Sequence, residues 1–216
     1  MNYQKELEKL IQSFEKEGIK PSLLLHSCCA PCSSYCLEYL SQYFNITIYY
    51  YNPNITDDNE YLRRVREQKR LIESLNNDLG VSIQFAEGPH DKEEFFRLVK
   101  GYEDCPEGGD RCGICFEMRL GMAGRYASEH GFDYFTTTLT ISPLKNAERL
   151  NNIGLGVASE LSSLYLTSDF KKKNGYKRSI ELSAVYDLYR QDYCGCIYSK
   201  MEMERRRNEK TDRNNF

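Results

Sequence analysis

Apolar residues Leu7, Leu10, Ile11 and Phe14 recur at helical spacing and predict a helix over 3–17, stopped by Gly18 and Pro21. Leu23–His26 reads as a first strand. Ser33–Leu40 returns to helical spacing and predicts a helix reaching about Phe44. Ile46–Tyr51 is β-branched and aromatic, hence a second strand, and Asn52-Pro53-Asn54 turns the chain. Asp57 or Asp58 can cap a long charged helix through about Asn76, with Arg63, Arg64, Arg66, Lys69 and Arg70 read as a solvated face partnered by Glu60, Glu67 and Glu73. Further strands are predicted at 81–85, 134–138 and 164–166, and further helices at 91–100, about 114–130, 145–158 and 178–191. Strands alternating with helices imply an α/β domain: a Rossmann-like (HUP-like), mostly parallel sheet with helices on both faces and its ligand site beyond the carboxyl ends of the strands. One such domain with its N-terminal helix accounts for residues 1–199, and 200–216 reads as a charged, frayed tail.

Composition adds little to this picture. The 216 residues are 40% hydrophobic and 28% charged with a net charge of -3, so a nucleic-acid partner would have to be met by a local patch. Neither a secretory leader nor a membrane-length apolar run is seen, and a cytoplasmic location without membrane contact is expected.

The nine cysteines change the picture. A disulfide framework fits neither a reducing compartment nor the odd count, which leaves metal binding or redox chemistry. Three fall in Cys28-Cys29-Ala30-Pro31-Cys32, where a strand turns into a helix. Pro31 suits a first helical turn, and the helix dipole there favours thiolate. The C-x-x-C pair Cys112/Cys115 stands at a predicted helix start, with Cys105 upstream, and Cys194-Gly195-Cys196 follows near the end. C-x-x-C sulfurs can reach one ion or one cluster face; C-x-C can ligate a metal or close a strained, redox-labile disulfide. Eight thiols in three groups exceed the needs of one zinc, and their irregular spacing fits an iron–sulfur cluster better than a pair of zinc knuckles. Cys36 reads as core.

Two other features could carry function. Residues 169–179 interleave Lys172, Lys173 and Arg178 with Tyr176, a pattern that can pair with phosphates and stack on unpaired bases, or simply face solvent. His26 is either a proton donor or a satisfied strand-end histidine. No glycine-rich phosphate loop is present.

Taken in order, His26-Ser27-Cys28-Cys29-Ala30-Pro31-Cys32, Tyr51-Asn52-Pro53-Asn54-Ile55, Glu107 to Cys115, Thr137 to Asn146 (with Ser142, Lys145 and Asn146) and Tyr193-Cys194-Gly195-Cys196 resemble the cobalamin-independent epoxyqueuosine reductase family, QueH. The resemblance spans residues 22–199. It implies reduction of the epoxide of epoxyqueuosine at the tRNA wobble position to queuosine with loss of water, the last step of queuosine biosynthesis. It also implies a [4Fe-4S] cluster and an additional mononuclear iron beside it. Carried over by motif, the cluster ligands are Cys28, Cys29, Cys112 and Cys115, with Cys194 and Cys196 a redox-active pair and Cys32 a ligand to the second iron. The expected catalytic groups are Cys194, Cys196, Cys32 and His26. Expected substrate contacts are Asn52, Asn54, Ser142, Lys145, Asn146, Lys172, Lys173, Tyr176 and Arg178. The partners implied are tRNA with queuosine-type anticodons and an external electron donor. Two rival readings are a zinc-stabilised nucleic-acid-binding module and a cluster-dependent tRNA sulfurtransferase. The latter would need a nucleotide loop where the first thiols stand.

Overall fold

The computed structural model describes residues 2–214, with side chains through Glu209, so Met1, Asn215 and Phe216 lie outside the described residues. Helix α1 (Tyr3–Glu17) begins at Asn2, whose side chain accepts from the Lys5 N–H, and ends at Gly18. Strand β1 (Ser22–His26) leads through the cysteine turn into α2 (Ala30–Leu40). Then come β2 (Asn45–Tyr50), α3 (Asp58–Leu79) and β3 (Gln84–Glu87), followed by α4 (Lys92–Leu98) and α5 (Asp110–Glu129). Strand β4 (Tyr134–Thr137) runs into one 3-10 turn, Thr138–Ile141. The described chain closes with α6 (Ala147–Ala158), β5 (Leu164–Tyr165), α7 (Gly175–Val185) and α8 (Ile197–Asn214).

All strand pairs are parallel and the order is β3-β2-β1-β4-β5, the Rossmann-like sheet the alternation predicts. Side chains along β1 point alternately to the two faces. Leu23 and Leu25 pack with Leu7, Ile11 and Phe14 of α1, Leu37 and Leu40 of α2 and Leu71 and Leu75 of α3. Leu24 faces the other way, onto Phe116, Leu120 and Ala123 of α5 and Leu150 of α6. Both faces are thus covered, and the middle of β1, Leu23–Leu25, is continuously apolar because neither side meets water. Connections leave β1 and β4 in opposite directions along the sheet, and His26 is paired with Thr137 at their carboxyl ends. A crevice opens at such a switch point.

Several boundaries differ from expectation. Strand β3 begins at Gln84, because the Asn76 amide of α3 bonds both the N–H and C=O of Ile83 and holds it outside the ladder. Helix α2 ends at Leu40, short of Phe44. Helix α5 begins at Asp110, so Cys112 and Cys115 both sit within its opening turns. Residues read as a charged tail continue α8 to Asn214. Cys36 is fully buried in the core, as read. No helix among the described residues is long and apolar enough to cross a membrane.

Helix α6 approaches β5 closely at Gly154: a Cβ there would stand 2.3 Å from carbons of the Tyr165 ring. Gly154→Ala is therefore expected to overpack this contact and cost about 1–3 kcal/mol. The readout is a lower urea midpoint at unchanged m-value.

Candidate metal centre at the carboxyl end of the sheet

The turn after β1 gathers the sulfurs of Cys28, Cys29 and Cys32 within 4.8 Å of one another. Cys29 is the residue before the first turn of α2, and Pro31 occupies that turn at no cost in hydrogen bonds. Gln68 of α3 fixes the turn from below: its Oε1 accepts from Ser27 Oγ at 2.9 Å and from Ser33 Oγ at 2.8 Å. The Tyr50 hydroxyl donates to the Cys28 carbonyl at 3.3 Å. Within the triad, hydrogen bonds from Cys29 and Cys32 draw the Cys28 thiol well below its usual range. The same bond to Cys28 and burial push Cys29 up to about 12, and Cys32 is raised as well. Three clustered thiols here carry one negative charge readily, and a second or third needs a cation.

The other chemistry-bearing cysteines lie across the crevice. Cys112, Cys115, Cys194 and Cys196 line a small cavity of about 30 Å³. Backbone N–H groups point at two of these sulfurs, Gly108 to Cys112 Sγ at 3.2 Å and Ser199 to Cys196 Sγ at 3.4 Å. Burial outweighs the helix dipole: Cys112 is raised, and Cys115 and Cys196 are pushed up to about 12. Cys194 also lines the adjoining larger cavity, about 390 Å³, together with Cys28 and Cys32. All nine cysteines are free thiols.

Two buried arginines organise the site. Arg64 of α3, in the stretch read as a solvated face, is 1% exposed. Its Nε bonds Glu60 at 2.7 Å, while its other nitrogens donate to the carbonyls of Cys194 at 3.0 Å and Tyr193 at 3.3 Å. The Cys194–Cys196 turn is thereby tied to α3. Arg119 of α5 is wholly buried, donating to Asn52 Oδ1 at 2.7 Å and to His26 Nε2 at 3.3 Å. On a third side, Arg149 of α6 reaches the carbonyls of Gly108 and Gly109 at 3.2 and 3.1 Å. Lys171 donates to the carbonyls of Thr140 at 2.9 Å and Lys145 at 3.2 Å, holding the loop after β4. Burial works to lower the Lys145 pKa, but the sulfurs of Cys194, Cys28 and Cys32 outweigh it and hold the ammonium above its ordinary value.

This donor set fits an iron–sulfur group on chemical grounds: clustered soft sulfur ligands, amide N–H groups directed at sulfur, and buried positive charge beside them. A family model described as epoxyqueuosine reductase QueH matches residues 23–202. A protein named epoxyqueuosine reductase QueH from Staphylococcus aureus is 48% identical over 204 residues, covering 94% of this chain and 85% of the relative. Its namesake from Staphylococcus epidermidis is 47% identical over 204 residues (94% and 86%), and that from Streptococcus pyogenes serotype M1 46% over 199 residues (92% and 78%). The chain belongs to the QueH family.

Within this QueH chain the expected site residues divide. Cys28, Cys32, Cys194, Ser142, Lys145 and Tyr176 meet around the larger cavity. Asn54 and Asn146 line the smaller one with Cys112, Cys115 and Cys196, and Asn54 Oδ1 has no hydrogen-bond partner among the described residues. Cys29 stands behind Cys28 in the triad. His26 and Asn52 are placed differently from expectation. Both are fully buried and line neither cavity. Burial and the Arg119 charge bring His26 down to about 3, so the ring is neutral. Its Nε2 faces both Arg119 Nε at 3.3 Å and the Tyr51 carbonyl at 3.2 Å, and its Nδ1 lies 2.9 Å from Thr137 Oγ1. As placed, the His26 ring braces Arg119 and has no access to the cavity as a proton donor. Asn52 donates to the Ser27 carbonyl at 2.8 Å and accepts from Arg119, so it braces the turn instead of facing substrate. Arg178 is bidentate to Glu38 at 2.7 and 3.0 Å and also meets Glu181, and Lys173 pairs with Glu8. Lys172 is exposed, with no ion pair among the described residues. Cys105 lines neither cavity.

Arg119 was missed although its signal was in the pattern: Cys112, Cys115 and Arg119 are spaced i, i+3, i+7 on one helix face. The bend between Cys194 and Cys196 needs glycine. Gly195 has φ +128°, and a Cβ would stand 2.9 Å from Ile55 Cγ1. Gly195→Ala should destabilise by about 1–3 kcal/mol and release the turn. The measurements are the urea midpoint and the alkylation rate of Cys196, which is expected to rise from that of a thiol only 8% exposed.

Proposed function

We propose that this chain reduces the epoxide of epoxyqueuosine in tRNA to the alkene of queuosine, using an iron–sulfur centre held by its thiols. The observation that carries the reading is that Cys28, Cys32 and Cys194 open onto one cavity of about 390 Å³, within the ~300–1,000 Å³ range of small-ligand sites, in a chain of this family. The reaction takes two electrons and two protons, breaks both C–O bonds of the epoxide and releases one water. We assign the cluster to Cys28, Cys29, Cys112 and Cys115, a second iron to Cys32, and a redox-active dithiol to Cys194 and Cys196. When bound, such a group supplies electrons singly and a Lewis-acidic iron for the epoxide oxygen.

The residues around the cavity supply the rest. Lys145 puts a cation on the same wall as the sulfurs, where oxygen leaves as water. Tyr176 and Tyr193 border the cavity and offer ring faces on which a splayed anticodon base can stack. Arg64 and Ser199 steady Cys194, the former through its carbonyl and the latter through its N–H at 3.0 Å. Electrons come from an external donor, and the free thiols suit a reducing compartment such as the cytoplasm.

The deciding experiment incubates anaerobically purified protein with epoxyqueuosine-containing tRNA and a reductant, then weighs the nucleosides. Queuosine should form, and the protein should be brown, with iron and acid-labile sulfide. A colourless zinc protein without turnover would overturn the reading in favour of a zinc-stabilised binding module. Cys194→Ser should retain the cluster yet lose at least tenfold in turnover; full turnover with an intact cluster would remove the dithiol role. For tRNA binding, Lys172→Glu should weaken affinity and make its salt dependence shallower by about one counterion. Arg178→Gln should change binding less, since its guanidinium is committed to Glu38 and Glu181.

A further inference from the structure

Arg119 stands out among the buried groups. Its side chain is fully excluded from water, and the two groups that hydrogen-bond it, His26 and Asn52, are both neutral. Its third nitrogen, Nη1, is buried with no hydrogen-bond partner among the described residues. Arg64 has Glu60; Arg119 has no carboxylate in ion-pair distance among the described residues. A buried cation left in this condition is strongly unfavourable unless an anion answers it. The groups that favour the charged form of Arg119 are the sulfurs of Cys115, one turn before it on α5, and of Cys28 and Cys194. These come from three separate stretches of chain, the α5 face, the turn after β1 and the turn before α8, so the guanidinium sits where all three thiol groups converge.

We propose that Arg119 is the fixed countercharge of the thiolate centre, locked by His26 and Asn52 beside Cys28 and Cys115, where it raises the reduction potential of the group those two thiols help to hold. The proposal rests on the iron–sulfur reading above. Reduction adds one negative charge to a group already surrounded by thiolates, and a buried positive charge favours the more negative state. An arginine suits this task because it cannot discharge by losing its proton. Its orientation is set twice: Asn52 spans from the Ser27 carbonyl to Nη2, and His26 links Nε to Thr137 at the end of β4. Arg119 lines neither of the two cavities at the site, so it acts on the centre and not on substrate. It is a positioning residue.

The test is a redox titration of the anaerobically purified, cluster-loaded protein, followed by visible absorbance and electron paramagnetic resonance. Arg119→Gln should lower the midpoint by at least 59 mV, the equivalent of tenfold in a one-electron equilibrium. Arg119→Lys keeps the charge and should stay nearer the wild-type midpoint. If Arg119→Gln yields no loaded protein, Asn52→Asp takes its place: a carboxylate 2.7 Å from Nη2 neutralises the guanidinium without removing it and should also lower the midpoint. Loaded variants with wild-type midpoints would overturn the proposal while leaving the cluster reading intact. A colourless wild-type protein would overturn the cluster reading as well.

Discussion

Placing thiols out of water at the end of a sheet creates an electrostatic problem that the surrounding structure is arranged to solve. Burial alone drives cysteine toward the neutral thiol, and here it pushes Cys115 and Cys196 up to about 12, a range that Cys29 reaches chiefly through its bond to Cys28. Only positive charge, from side chains or a bound ion, makes several thiolates tolerable in one low-dielectric spot. The chain supplies part of that charge permanently. Arg119 and Arg111 enter from α5, Arg64 from α3 and Lys145 from the loop after β4, so these cations reach the crevice from three parts of the chain. None of them is placed by local propensity. They are placed by the sheet.

The sheet performs this through its switch point. Because β2 and β4 flank β1, the turns after β1 and β4 face each other across one crevice, and α5 starts beside both. The pieces that bear chemistry are separated by up to 168 residues, Cys28 to Cys196, yet the parallel topology returns the loops after β1 and β4 to one edge, where the start of α5 and the turn before α8 meet them. Arg64 then adds what topology does not: two hydrogen bonds that fasten the late Cys194 turn to a helix formed early in the chain. Fold and site are coupled at this point, since the same α3 whose Leu71 and Leu75 fill the core also carries Arg64 and Gln68 to the cysteines.

Legibility from sequence followed the range of the interactions involved. Alternating strand and helix periods were readable because each period is local, and the strands' parallel arrangement follows from that alternation. The cysteine groups were readable because thiols at such spacing have few other uses. Arg64 was hidden in a run of five basic residues, where composition cannot say which one turns inward; that choice depends on the Cys194 turn, 130 residues away. Asn52 and His26 sit within the motifs that carry the resemblance, a place in the chain that suggests access to the cavity. Their side chains instead point into the sheet end, where a buried arginine needs acceptors. The strand boundary at Gln84 fails for a similar reason, since Asn76 competes for the backbone of Ile83.

The same logic separates the two kinds of positive charge on this protein. Arg178 and Lys173 lie at the surface and are satisfied by neighbouring carboxylates, Glu38 and Glu181 for the one and Glu8 for the other, in pairs that water and salt screen heavily. Arg119 and Lys145 lie where sulfur is the anion on hand, and little water intervenes to weaken the attraction. In the basic stretch conspicuous in the sequence, Lys173 and Arg178 are thus already answered and Lys172 is left without an ion pair among the described residues, while two isolated cations, unremarkable in composition, bear on the reactive centre. Charge density along a chain is a poor guide to where charge acts; what decides is whether an opposite charge of the ordinary kind has already claimed it.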